Sequence, residues 1–155
     1  YGVHIHKKFG AAIISNGGAP KGCNLFQSVK GLHNGLFAMN DGSSVVLCAE
    51  CFNGFGPEGY RLGFECESYE QLWEKQAYER YDPEMAISLL TMRYLTHMKV
   101  YLISGLTDEE VRKAGMIPVK TPEEAWALIK ADKPELTELM VLPCGALTCP
   151  IVEEE

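Results

Sequence analysis

No run in this sequence approaches the roughly 20 uninterrupted apolar residues that a helix needs to cross a bilayer, so the chain reads as a soluble one. Positive charge is also scarce. Lys and Arg number 14 against 21 Asp and Glu, a formal net charge of -7. That balance argues against nucleic acid or an anionic membrane as partner, because neutralising phosphates takes a clustered basic surface. An anionic ligand would have to meet a local positive site instead. No repeat or low-complexity tract appears, and no methionine opens the text, which starts at Tyr1 on strand-like sequence and reads as a piece of a longer polypeptide. A targeting peptide therefore cannot be judged from it. Also missing is a second Cys-x-x-Cys beside Cys48 and Cys51, the pairing that would mark a zinc finger. At 155 residues the chain, taken as one domain over 1–155, can bury a core without cross-links. Its six cysteines (Cys23, Cys48, Cys51, Cys66, Cys144 and Cys149) are accordingly read as reduced thiols, and the compartment as the cytoplasm.

Four short apolar runs read as buried strands: Ala11 to Ser15, Ser44 to Ala49, Lys99 to Ser104, and Leu139 to Leu142. Helical text separates them, and this alternation predicts an α/β fold: a mostly parallel sheet of about four to five strands with helices on both faces, a Rossmann-like or flavodoxin-like sandwich. Asn24 is placed to cap a helix whose Leu25, Val29, Leu32 and Leu36 share one side, with Gln27, Lys30 and Asn34 on a polar one. Asp82 followed by Pro83 opens a second helix, apolar nearly all round and expected to be buried on two sides. Thr107 with Glu110, and Thr121 with Glu124, read as capping boxes, and Gly115 closes the first of these two helices. The 67–80 region is helical in composition, with Leu72, Trp73 and Tyr78 as its packing residues. The run Glu153 to Glu155 reads as a solvated tail. The glycines and proline of 52–63 predict an irregular loop, either a lid or a plain surface excursion.

In an open parallel sheet ligands bind outside the carboxyl ends of the strands, where loops converge and helix amino-termini offer free N–H groups. The turn Asn16, Gly17, Gly18 lets the backbone bend tightly there, and it leads into the Asn24 helix, whose dipole would favour a small anion. Gln27 and Lys30, three residues apart, lie on one helix face. An amide and an ammonium together suit a carboxylate with a neighbouring oxygen, Lys30 supplying charge and Gln27 direction. Spacing alone leaves the alternative of a solvated polar face open. Glu50, at a strand end beside this crevice, either orients Lys30 or faces water.

Other candidates carry competing readings. Cys23, Cys51 and Cys144 or Cys149 fall in loops at one sheet edge, where convergence would make a thiolate zinc or iron–sulfur site; as a strand residue, Cys48 reads instead as a small buried hydrophobe. His4 and His6 alternate as on a strand and read as an edge strand or linker. His33 reads as packing beside an apolar stripe, and His97 suits the dipole at a helix carboxyl end.

Taken together, Asn16-Gly17-Gly18-Ala19-Pro20, the helix Asn24-Leu25-Phe26-Gln27-Ser28-Val29-Lys30-Gly31-Leu32, the segment Cys48-Ala49-Glu50-Cys51 with Gly54 and Gly56, the stretch Glu110 to Pro118 followed by Thr121-Pro122-Glu123-Glu124-Ala125, and Val141-Leu142-Pro143 resemble the carboxyl-terminal half of the nickel-dependent lactate racemase family. These blocks span most of the chain in the family's order. The resemblance implies racemisation or epimerisation of 2-hydroxy acids with a nickel-pincer nucleotide, a pyridinium bisthiocarboxylate mononucleotide tethered to a lysine of an amino-terminal domain. It implies hydride transfer to and from that cofactor, with an amino-terminal histidine taking the hydroxyl proton. On this resemblance Gln27 and Lys30 hold the acid group, no catalytic residue lies in this chain, and the chain alone binds no cofactor. Lactate-acting members carry a tryptophan where this chain's helix begins Asp82-Pro83-Glu84-Met85, which leaves the acid unspecified. Lys21 is either added charge for a more anionic substrate or a solvated lysine. Two other functions compete: a thiolate metal module, and a non-catalytic domain that binds a small organic acid.

Overall fold

A computed structural model describes residues 1–79 and 81–153. The expected ends of the 67–80 helical region and of the acidic tail, at Arg80, Glu154 and Glu155, lie outside the described residues. Strands β2 (Phe9–Ser15), β3 (Met39–Cys48), β4 (Lys99–Ile103), β5 (Ile117–Pro118) and β6 (Met140–Leu142) form one sheet in the order β5-β4-β3-β2-β6. Every pairing is parallel. Successive side chains alternate between two apolar layers. Ala12, Ile14, Val45, Leu47, Val100 and Leu102 enter one cluster, under α1 (Leu25–Gly35), α2 (Glu58–Gly63), α4 (Pro83–Leu95) and α5 (Asp108–Lys113). Ala11, Val46 and Tyr101 enter the other with Ala125 and Ile129 of α6 (Pro122–Asp132). The expected α/β sandwich and its four strands are therefore present. β1 (Gly2–Ile5) and β7 (Cys149–Val152) pair separately, in parallel. His4 and His6, read as an edge strand or linker, stand here with Nδ1 atoms 3.0 and 3.2 Å from the two oxygens of Glu153.

The local signals place most helix ends. Asn24 accepts from the Gln27 N–H at 2.9 Å, Asp82 Oδ1 accepts from Glu84 and Met85, and Thr107 with Glu110 forms a full capping box. Gly115 follows α5 in the left-handed region at φ 74. The second expected box is only half made. Thr121 accepts from the Glu124 N–H, but the Glu124 carboxylate reaches back to the Lys120 N–H rather than to that of Thr121.

Three expectations are corrected. The 52–63 segment is neither an irregular lid nor a surface excursion: it contains α2, and Phe55, Tyr60 and Phe64 drive it into the core, with Tyr60 0% exposed and edge-on to Phe26 and Phe64. Gly59 and Gly63 there serve packing, since a Cβ at Gly63 would collide with Ser88 of α4. In α3 (Tyr69–Tyr78) only Leu72 is buried; Trp73 and Tyr78 are 45% and 79% exposed and lean edge-on against each other. α4 is fully buried only at Met85, Ser88 and Thr91, so most of its apolar side chains are half-covered rather than enclosed on two sides. Among the described residues no helix is long and apolar enough to cross a membrane.

Candidate functional site

Because the sheet is parallel, Ser15, Cys48, Ile103 and Leu142 end their strands at one edge. The chain leaves β2 toward β3, β4 and β5 on one side and returns with β6 on the other, so the order reverses between β2 and β6, the place where such folds usually leave a crevice. Here that place is filled. Gly145, in the 145–147 turn, presses on Ile14 and Gly31, and Asn34 Nδ2 of α1 donates to the Gly145 carbonyl at 2.8 Å. The opening lies on the other side of β2. A cleft of about 350 Å³ is lined there by Ser15, Gly18, Cys48, Glu50, Ser104 and Gly105. Two larger clefts, about 470 and 530 Å³, lie along α3, and a third, of about 390 Å³, is lined by Lys99, Tyr101, Ile117 and Leu128.

The turn after β2 is built as its glycines require. Gly17 and Gly18 stand at φ 84 and 79, in the left-handed region that a side chain disfavours. Cys51, at φ 55, adopts this conformation without being glycine and is buried. Its N–H donates to the Gly22 carbonyl at 2.9 Å, and Asn53 donates to Cys23 at 2.8 Å, lacing the two loops together. The lacing overturns the expected anion site at the start of α1. The Leu25 and Phe26 N–H groups donate to Gly54 and Phe55 carbonyls at 3.0 Å each, and Gln27 donates to its Asn24 cap. No early amide of the helix is left for a ligand.

The six expected site residues fall into three groups. Gly18 and Glu50 line the cleft, with Gly17 beside them in the bend and close to Cys144. Gln27 and Lys30 sit together on the outer side of α1, where the Lys30 ammonium donates to Gln27 Oε1 at 2.6 Å and lies 5.2 Å from the centre of the Phe26 ring. Asn16 is 2% exposed and points under α1, donating to the Lys21 and Gln27 main-chain carbonyls. It faces protein rather than the cleft. Among the described residues no ion pair joins Glu50 to Lys30, and Glu50 is exposed. Two residues that the spacing argument passed over, Gly31 and Phe26, shape the surroundings of the pair; the only signal for Gly31 was a glycine in the middle of a helix.

The pair on α1 has a definite chemical bias. Gln27 Oε1 is its one acceptor atom, and Lys30 occupies one of its two lone pairs. Against the one remaining lone pair stand the other ammonium protons and the two amide protons of Gln27, so donors predominate. Such a patch suits an acceptor-only group such as an ionised carboxylate. The thiols offer the opposite. Burial pushes Cys51 up to about 11 and also raises Cys48, so both thiols are protonated at neutral pH in the metal-free chain. All six cysteines are unpaired, and among the described residues no three His, Cys, Asp or Glu side chains stand grouped to hold a metal ion. His33 is packed on Tyr94 with ring centres 5.2 Å apart, and burial lowers its pKa to about 4, in keeping with a packing role.

Comparison with known proteins gives a consistent result. Residues 6–148 match the family model described as the lactate racemase C-terminal domain. A lactate racemase of Thermoanaerobacterium thermosaccharolyticum is 31% identical over 138 residues, 86% of this chain and 32% of that protein. Another, from Lactiplantibacillus plantarum, is 26% identical over 139 residues, 86% of this chain and 33% of its own length. The structure of the lactate racemase apoprotein from the first organism aligns with a TM-score of 0.83 at 29% identity, covering 96% of this chain and 36% of that one. A Thermotoga maritima protein of 14% identity aligns at 0.59, a likeness of fold alone. The chain spans about a third of the length of the relatives it matches.

Proposed function

The chain belongs to the lactate racemase C-terminal domain family, a racemase family by its relatives, and from that membership we propose that residues 1–155 form the substrate-holding domain of a longer 2-hydroxy-acid racemase or epimerase. In this reading an amino-terminal domain outside the chain holds the nickel-pincer nucleotide, and the whole enzyme works in the cytoplasm. The described residues do not fit the role of nickel ligands, since no three His, Cys, Asp or Glu side chains among them converge. Their part is to bind and orient the acid.

One observation carries this reading: the bond of 2.6 Å from Lys30 to Gln27 Oε1, which leaves a donor-rich patch on an exposed helix face. A carboxylate laid across it would take a charge-assisted bond from Lys30 and a directional one from the Gln27 amide. The Phe26 ring under the ammonium restrains Lys30 through a cation–π contact. Anchoring at the carboxylate would keep the α-carbon in one place while it passes through a planar keto acid, the kind of positioning that lowers a barrier. Glu50 and Gly18 line the cleft at the strand ends.

The test is Lys30→Ala in the complete enzyme, amino-terminal domain included, assayed with a panel of short 2-hydroxy acids that begins with lactate. Loss of one charge-assisted bond is expected to lower kcat/KM roughly 10- to 100-fold, while an exposed site leaves stability within about 0.5 kcal/mol. Near-normal kinetics would remove the role given to the pair. The isolated chain is expected to show no racemisation; tight binding of hydroxy acids by the chain alone would favour a non-catalytic acid-binding domain instead.

A further inference from the structure

Asn16 follows the end of β2 with its side chain enclosed, 2% exposed. Its Nδ2 uses both protons, one to the Lys21 carbonyl at 2.9 Å and one to the Gln27 carbonyl at 2.8 Å. Its Oδ1 has no partner and lies against Gly31. A Cβ at Gly31 would overlap that oxygen outright, so the bare glycine is the gap in the helix surface through which the amide reaches Gln27. In a regular helix the Gln27 carbonyl already accepts from the N–H four residues on, which is that of Gly31. Asn16 is therefore a second, external donor to the carbonyl of one of the two residues that make the donor patch, and it ties that same carbonyl to the strand of the turn that carries Gly17 and Gly18.

We propose that Asn16 is a positioning residue: through the Gln27 main chain, and with Gly31 shaped to admit it, it fixes how far along and around α1 the Gln27 and Lys30 donors stand relative to the Gly17–Gly18 bend. The inference rests on the reading that Gln27 and Lys30 hold the acid. It gives a role to a buried amide whose two protons brace the Lys21 and Gln27 carbonyls at once. It also removes Asn16 from direct contact with substrate while keeping it in the site.

The test compares Asn16→Ser, Asn16→Ala, Gly31→Ala and the pair Asn16→Ala with Gly31→Ala in the complete enzyme, reading melting temperature, KM and kcat on the best hydroxy acid of the panel. A displaced anchor is expected to raise KM roughly tenfold in folded Asn16→Ser and Asn16→Ala, whereas a merely structural defect lowers the active fraction and so kcat, with KM unchanged. In the paired variant the new methyl occupies the space that the amide vacates, so melting recovers part of the way from Gly31→Ala while KM stays high; the Ala146 N–H, 3.3 Å from the added carbon, limits the recovery. Wild-type KM in any folded variant that lacks the amide overturns the proposal, as does a paired variant that regains both stability and KM. Lys30→Ala separates the two levels. If that change is harmless, the parent reading falls; if it is damaging while the Asn16 variants keep their KM, only the positioning role falls.

Discussion

Along the side of α1 that faces the sheet, Leu25, Ser28, Val29, Gly31 and Leu32 are buried, and the polar side chains that reach across donate to main chain, Ser28 to the Asn24 carbonyl and Asn16, from below, to that of Gln27, while Asn16 Oδ1 stays without a partner. Along the outer side, Lys30 is exposed, Gln27 is half-covered, and the two are bonded chiefly to each other. One side is built to be immovable, and the other carries hydrogen-bonding capacity that the fold does not use. Unspent donors on an otherwise saturated element are what a binding surface requires, and the saturated amino-terminus of the same helix shows where a ligand is not received.

The comparison is broken most severely from the inner side. Leu32→Ala removes a fully buried side chain and is expected to cost roughly 2 to 5 kcal/mol, measured as the shift in urea midpoint; a cost under about 1 kcal/mol would mean that the sheet-facing stripe is not what seats α1. His33 sharpens the comparison at the border between the sides. Unfolded, it takes up a proton near pH 6.5; folded, burial holds it off until about pH 4. Protonation therefore favours unfolding. The contribution is complete above pH 6.5 and is lost as pH falls toward 4, on the order of 3 kcal/mol. Urea titrations across that window should show the decline in the wild type and a flatter profile in His33→Leu. Equal slopes in the two proteins would contradict the assigned burial. The exposed pairs Lys113–Glu65, Lys120–Asp108 and Lys99–Asp132 hold their carboxyl groups below the usual range, so their stabilisation too is lost on acidification, equally in both proteins.

The sheet-facing side was the more legible one in the sequence. Ala11 to Ser15, Ser44 to Ala49 and Lys99 to Ser104 are apolar in unbroken runs because both faces of a parallel strand are covered, and β2, β3 and β4 fall there with ends that differ by a few residues. β5, two residues long, and β7 carry too little periodicity to be read, whereas the alternation of His4 and His6 marked the β1 region as an edge strand or linker without showing its partner. α2 was hidden by Gly59 and Gly63, which signal a loop when read locally but in the fold make room for Asp82, Glu84 and Ser88. At the site, the spacing of Gln27 and Lys30 placed them on one face, as found. The blocking of the α1 amino-terminus could not be foreseen, because its carbonyls come from Gly54 and Phe55, some 30 residues on, and the burial of Asn16 depends on a glycine gap about 15 residues along the chain.

The most direct measurement is steady-state kinetics of Gln27→Glu in the complete enzyme beside its thermal unfolding. The change keeps size and helix, replaces two donors with acceptors, and gives Lys30 an internal counter-charge. Stability should stay within about 0.5 kcal/mol while kcat/KM for the hydroxy acid falls roughly 10- to 100-fold. Unaltered kinetics in a variant that melts normally would show that no carboxylate is held at this pair.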